Sequence, residues 1–165
     1  MDLENTIIRQ IREDDDKALA DIIRKNLEKF HLDIPGTVYF DPELNHLSRY
    51  YTGNPGKRVY FVVEDGQGLV LGGIGIDCFP GFENCAEIQK LYLSEEAKGR
   101  GLGKKLLKTA EEYAVRAGYQ SLYLETHTNL EIAIHLYEKA GFHEIEKPQV
   151  VQHNTMDLFM LKELL

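Results

Sequence analysis

The sequence predicts an α/β fold: a mixed, mostly antiparallel central sheet flanked by helices on both faces. Three observations predict it. Residues 58–93 hold three β-rich runs joined by short turns, which read as consecutive antiparallel strands. Residues 94–142 then alternate two helical stripes with a strand. Both stripes end alike, in Ala117-Gly118-Tyr119 and Ala140-Gly141-Phe142, with glycine just past the last turn and an aromatic residue leading into a strand. With 43% of its 165 residues hydrophobic, the chain can bury one core, and a single domain over residues 1–165 is expected.

Residues 6–11 are short and partly β-branched, a first strand. Glu13-Asp14-Asp15-Asp16 precedes Ala18, Leu19, Ile22, Ile23, Leu27 and Phe30, which recur at helical spacing. The acidic run is expected to cap that helix and offset the positive end of its dipole. Residues 31–57 are irregular, broken at Pro35-Gly36, Asp41-Pro42 and Asn54-Pro55-Gly56, with a short helix over 42–51. Strands follow at 58–64, 69–79 and 86–93, joined by turns at Asp65-Gly66-Gln67-Gly68 and Pro80-Gly81. Leu102, Leu106, Leu107, Ala110, Tyr113, Ala114 and Ala117 then form a helical stripe. A strand over 121–126, a helix over 129–140 and a last strand over 156–162 complete the order.

Charge and composition exclude several classes. The 19 basic residues are outnumbered by 27 acidic ones, a net charge of −8, which argues against a nucleic-acid partner. No apolar run approaches the roughly 20 residues of a membrane span. Met1-Asp2-Leu3-Glu4 is acidic where a signal peptide is basic, so no membrane and a cytoplasmic location are expected. Cys78 and Cys85 lie seven apart and read as two small, mostly buried thiols rather than a disulfide. No C-x-x-C or H-E-x-x-H spacing occurs, so no metal site is expected.

The segment Lys98-Gly99-Arg100-Gly101-Leu102-Gly103-Lys104-Lys105 separates a strand from a helix. Glycines let successive backbone N–H groups converge, and the helix N-terminus adds partial positive charge, which makes an anion cradle. Four cations concentrated there in an acidic chain point to a phosphorylated ligand. A Walker loop fails, because Lys98 stands at its first glycine and Lys105 at its hydroxyl. A dinucleotide fingerprint fails too: the glycines at 99, 101 and 103 give G-x-G-x-G, and only about 40 residues follow Glu125.

The segment resembles the acyl-CoA loop of the GNAT acetyltransferases, whose pattern is Arg or Gln, two residues, Gly, one residue, Gly or Ala. Here it reads K-G-R-G-L-G, and Lys98 keeps the charge but loses the planar fork of arginine. Residues 129–142 are similar to the second signature of that family, N-x-x-A-x-x-L-Y-E-K-x-G-F, and residues 86–93 resemble its preceding strand. The resemblance covers residues 86–142. It implies acetyl transfer from acetyl-CoA to a small-molecule or peptide amine in a ternary complex, and a homodimer. The alternative it leaves is a non-catalytic acyl-CoA binder.

The resemblance also assigns candidate residues. Leu91, Tyr92 and Leu93 would give main-chain contacts to the pantetheine and carbonyl. Lys98, Gly99, Arg100, Gly101, Leu102, Gly103 and Lys104 would hold the pyrophosphate. Tyr137 stands where the family has a tyrosine near the sulfur, and phenol, with an ordinary pKa near 10, can exchange a proton with a thiol near 8.5; alternatively it is core. Glu87, eleven residues before Lys98, stands at the offset of a base glutamate or else makes an inter-strand ion pair. Alternation would put it on one face with Gln89, Leu91 and Leu93. Asn129 is either the N-cap of its helix or a cofactor contact. Glu125 and His127 end a strand where ligands collect, and Tyr39, Phe40, Asp41, Tyr50 and Tyr51 would wall the acceptor.

Overall fold

The computed structural model describes residues 1–164. Seven strands form one sheet: β1 (Ile7–Gln10), β2 (Val59–Glu64), β3 (Val70–Cys78), β4 (Cys85–Leu93), β5 (Ser121–Thr126), β6 (His143–Ile145) and β7 (Leu158–Glu163). Their order is β1-β2-β3-β4-β5-β7-β6, and every pair is antiparallel except β4 with β5. A parallel pair needs a long crossover, and α3 (Leu102–Arg116) supplies it.

Alternation along β2 divides the core between the two faces. Val59, Phe61 and Val63 meet α3 and α4 (Glu131–Lys139), through Leu106, Leu107, Ala110 and Tyr137. Tyr60 and Val62 meet α1 (Asp16–Lys29) and α2 (Leu47–Tyr51), through Leu19, Ile23, Leu27 and Leu47. Helices thus cover both faces, and no helix among the described residues is long and apolar enough to cross a membrane.

Several expectations shift. The helix over 42–51 splits into a 3-10 turn, Leu44–His46, and the five-residue α2. The last strand starts at Leu158, and the helix expected from 129 begins at Glu131. The acidic run does not cap α1 through a side chain. Asp15 instead takes both Arg9 guanidinium nitrogens at 2.8 Å, while Asp16 accepts the Ser48 N–H and hydroxyl at 2.8 and 2.7 Å. A buried bidentate partner outweighs exposed dipole stabilisation.

The cysteines are only half as expected. Cys85 is buried, but Cys78 is exposed, and both thiols are free. Cys78 lies opposite Ala86 in the β3–β4 register, so Cys85, one residue along, points to the other face of the sheet.

One irregularity reshapes the site. Gly73 pairs with Tyr92 and Gly75 with Gln89, so Ile74 alone opposes Lys90 and Leu91. Lys90 has φ 51°, a left-handed conformation uncommon for lysine. This bulge resets the alternation. Ala86, Ile88, Leu91 and Leu93 face the α3 side, whereas Glu87, Gln89 and Tyr92 face the α1 side. The expected face shared by Glu87, Gln89, Leu91 and Leu93 therefore breaks after Gln89.

Candidate active site

β4 and β5 pair only through Cys85↔Ser121, Ala86↔Leu122 and Glu87↔Tyr123. Beyond that point β5 continues along β7 as far as Thr126, and residues 88–93 of β4 lose their neighbour on that side. The sheet therefore opens in a V with Glu87 at its floor. Main-chain groups of Leu91, Tyr92 and Leu93 lie along one arm. The Tyr60 hydroxyl donates to the Lys90 carbonyl at 2.9 Å and the Asn26 amide to the Leu93 carbonyl at 2.9 Å, fixing that arm from the α1 side.

The glycine loop lies beyond the end of this arm. After the 3-10 turn Glu95–Ala97 the chain runs extended through Lys98. Gly99 and Gly101 then take φ 76° and 77°, conformations that cost little only in glycine. A Cβ at either would meet no atom within 4 Å, so both border open space. Gly101 precedes α3 without any side-chain cap, leaving the first-turn N–H groups of Leu102, Gly103 and Lys104 without an intrahelical or capping partner. Gly103 is tighter on a different side: a Cβ there would sit 3.2 Å from Leu136 Cδ2, which would have to give by a few tenths of an ångström. Lys98 is partly engaged, its ammonium 3.2 Å from Glu95 and over the Phe30 ring. Among the described residues, Arg100, Lys104 and Lys105 form no ion pair.

Tyr137 lies on α4, on the α3 side, with its ring edge-on to Phe142 at 5.9 Å. Burial pushes its phenol well above the ordinary value. Tyr92, reaching the opening from the opposite face, is close enough for the charge of Tyr137 to raise its phenol further.

The α1 side of the opening holds a buried charged cluster. Glu87 is 4% exposed, and burial pushes its carboxyl up to about 7 against a hydrogen bond from Gln89 Nε2 at 2.8 Å. The Tyr51 hydroxyl donates to Gln89 Oε1 at 2.6 Å, which fixes the amide orientation. Lys90 is buried with its ammonium 2.9 Å from Asp41 and 3.3 Å from Glu43. His153 Nε2 is 2.8 Å from Asp41 Oδ1, and its backbone N–H donates to Glu125 Oε1 at 3.2 Å. Burial disfavours charge on the His153 ring, yet contacts to Asp41 and Glu125 prevail and push it up to about 9. Asp77 accepts from the Tyr50 hydroxyl at 2.6 Å and lies 3.1 Å from Arg58 Nε. Five carboxylates, Asp41, Glu43, Asp77, Glu87 and Glu125, thus share three cations, Arg58, Lys90 and His153.

The structure sets Glu87 and Leu91–Leu93 along the open edge of β4, packs Tyr137 in the α3-side core against which Leu91 and Leu93 also lie, and starts the glycine loop one turn beyond β4. Asn129 is not the N-cap of α4, since Leu130 holds that position. Its amide donates instead to the Phe30 carbonyl at 3.1 Å, tying the α4 loop to the end of α1. His127 accepts the Asn129 N–H through Nδ1, and Glu125 is occupied by Tyr123 and His153. Of the expected acceptor wall, Asp41, Tyr50 and Tyr51 join the cluster, whereas Tyr39 bonds Glu28 and Phe40 is 59% exposed. Sequence reasoning missed Gln89, Lys90, Asp77 and His153 as members. Lys90 before Leu91 and Asp77 after Ile76 were the available signals, because a charge inside a buried strand needs a partner.

A model described as the acetyltransferase (GNAT) family matches residues 18–142. The chain belongs to the GNAT family of acetyltransferases. Similar GNAT proteins include YjgM of Escherichia coli, an uncharacterized N-acetyltransferase, 36% identical over 98% of this chain and 96% of that one. YncA of Salmonella typhimurium, solved with its cofactor acetyl-CoA, is 26% identical, with a TM-score of 0.74 over 97% of this chain and 94% of that one. A GNAT acetyltransferase of Staphylococcus aureus shares the fold at a TM-score of 0.85 and 18% identity, over 97% and 99% of the two chains. The protein is thus an acyltransferase with the GNAT sheet and its helical layers.

Proposed function

We propose that this protein, acting as one domain, moves the acetyl group of acetyl-CoA to the amine of a small cationic acceptor within a ternary complex. The observation that carries this reading is Glu87. Its carboxyl sits at the floor of the opening, pushed up to about 7, in a cluster where carboxylates outnumber cations. A base whose pKa lies near the working pH is favourably placed to take a proton.

The residues present suit acetyl-CoA. The space beside Gly99 and Gly101, which a side chain would fill, lets the backbone approach the pyrophosphate. The N–H groups of Leu102, Gly103 and Lys104 would bind it, with charge from Arg100 and Lys104. Leu91, Tyr92 and Leu93 would contact the pantetheine through their main chain and polarise the carbonyl, as in an oxyanion hole. Acetyl-CoA supplies a thioester carbonyl and a thiol leaving group. Glu87 would accept the first proton from the acceptor ammonium, directly or through a water. The nitrogen sheds a second proton as the amide forms, and that proton replaces, through solvent, the one Tyr137 hands to sulfur. No cysteine stands in the glycine loop or the α4 signature, so direct transfer needs no acetylated thiol.

The test is thiol release from acetyl-CoA across a panel of amines. Cationic amines are expected to outperform anionic amino acids, and a win for anionic acceptors would overturn the charge argument. Thiol release with none of the amines, despite tight CoA binding, would favour the non-catalytic binder. Glu87→Gln should depress kcat/KM most below the acceptor's own pKa and recover as pH rises. A deficit constant from pH 7 to 10 would make Glu87 structural.

A further inference from the structure

Transfer as proposed uses Glu87 and Tyr137 but leaves two cations of the cluster, the buried Lys90 and the part-buried His153, without a task. Lys90 belongs to the bulge, where its carbonyl and ammonium are both tied. His153 comes from the segment between β6 and β7, outside the glycine loop and the α4 signature. It touches carboxylates from two distant parts of the chain. Nε2 lies 2.8 Å from Asp41 Oδ1, and Nδ1 lies 3.7 Å from Glu125 Oε1. Glu125 is held in turn by the Tyr123 hydroxyl at 2.9 Å, and Tyr123 is the register partner of Glu87 across the last β4–β5 pair. His153 and Glu125 therefore occupy the face, and the edge of the opening, to which Glu87 points.

We propose that His153 is a positioning residue for proton removal, a fixed cation set between Asp41 and Glu125 that keeps Glu87 able to ionise within a ring of carboxylates. The proposal rests on Glu87 being the base. The charged and titratable groups facing His153 are Asp41 and, through Lys90, Glu43 from the 41–46 segment, Glu87 and Lys90 from β4, and Tyr123 and Glu125 from β5. Without the imidazolium, three carboxylates and Glu87 would share Lys90 alone on this side. Ionising Glu87 would then place another negative charge beside unpaired ones. The charges of His153 and Lys90 favour the carboxylate of Glu87, and that of Glu125 opposes it.

The measurement is the pH profile of kcat/KM with one fixed amine. His153→Gln should move the acid limb upward by about one pH unit, which is about a tenfold loss well below the limb. His153→Lys, which restores the charge, should return the limb toward its original place. Glu125→Gln should move it downward, because a charge opposing Glu87 is removed while Asp41 still holds His153. A purely structural His153 would lower stability in all variants without moving the limb in opposite directions. Limbs that stay within about 0.2 unit, or that shift the same way in His153→Gln and Glu125→Gln, overturn the proposal. If His153→Gln fails to fold, Glu125→Gln and His153→Lys still decide it: an unmoved limb in Glu125→Gln, or a raised one in His153→Lys, refutes it. Glu87→Gln separates the two readings. It should remove the limb set by Glu87 and leave only the rise set by the acceptor's own pKa, and a limb that stays at the parent's position refutes the base assignment itself.

Discussion

Gly101→Ala and Gly118→Ala are the same backbone perturbation at two ends of α3. Gly101 has φ 77° before the first turn, and Gly118 has φ 90° after the last; a Cβ at either meets no atom within 4 Å. Neither substitution creates a clash, so the structural cost of each is the left-handed backbone alone, about 1–2 kcal/mol. For a chain of this size that lowers Tm by about 2–8 °C. The two should differ only in ligand binding. At Gly101 the methyl would occupy the space through which the proposed pyrophosphate contact reaches the first-turn N–H groups. Losing two charge-assisted hydrogen bonds costs about 3 kcal/mol, or about 100-fold in the Kd for CoA. Calorimetric titration of CoA into both variants, each shown folded by circular dichroism, makes the comparison. A Gly101→Ala affinity within about threefold of Gly118→Ala would refute the cradle. Gly101→Val should bind no CoA at all, since a branched side chain adds bulk to the same strain.

Tyr137→Phe should lower kcat about 10- to 1000-fold with little change in CoA affinity, read by thiol release and calorimetry; unaltered turnover would leave Tyr137 as core. Lys90→Met strands Asp41 and Glu43 without their ammonium and should destabilise by about 3 kcal/mol or more, measured by denaturant midpoint, whereas a loss below about 1 kcal/mol would mean the ion pairs contribute little. Glu87→Gln should be stabilising at alkaline pH. Burial raises the folded carboxyl from its ordinary 4.5 to about 7, so the native state keeps a proton the unfolded chain releases. That stability is lost as pH climbs from about 4.5 through 7, by at most about 3 kcal/mol. The Tm gap between variant and parent should widen between pH 4 and pH 8, and a gap that narrows would contradict the raised carboxyl.

The sequence by itself determined whatever depends on near neighbours. Gly99 and Gly101 announce left-handed backbone before an uncapped helix. The apolar stripes of α3 and α4 and the glycines that end them follow from local propensity, as does the Asp65-Gly66-Gln67-Gly68 turn. The glycine loop and the signature around Tyr137 were legible for the same reason: an anion cradle is built from consecutive residues. Only the tertiary structure decided where those pieces meet. The bulge at Lys90 is a property of how β3 pairs with β4, one residue opposing two, and β4 read alone alternates without interruption through Leu93. That slip moved Leu91 and Leu93 to the face opposite Glu87. Asn129 has the composition of an N-cap, but the C-terminal end of α1 offered its amide a carbonyl, and α4 started without it. His153 and Asp41 are 112 residues apart, and no spacing rule connects them. Propensity acts over a few residues, whereas ion pairing and strand register depend on which segments folding brings into contact.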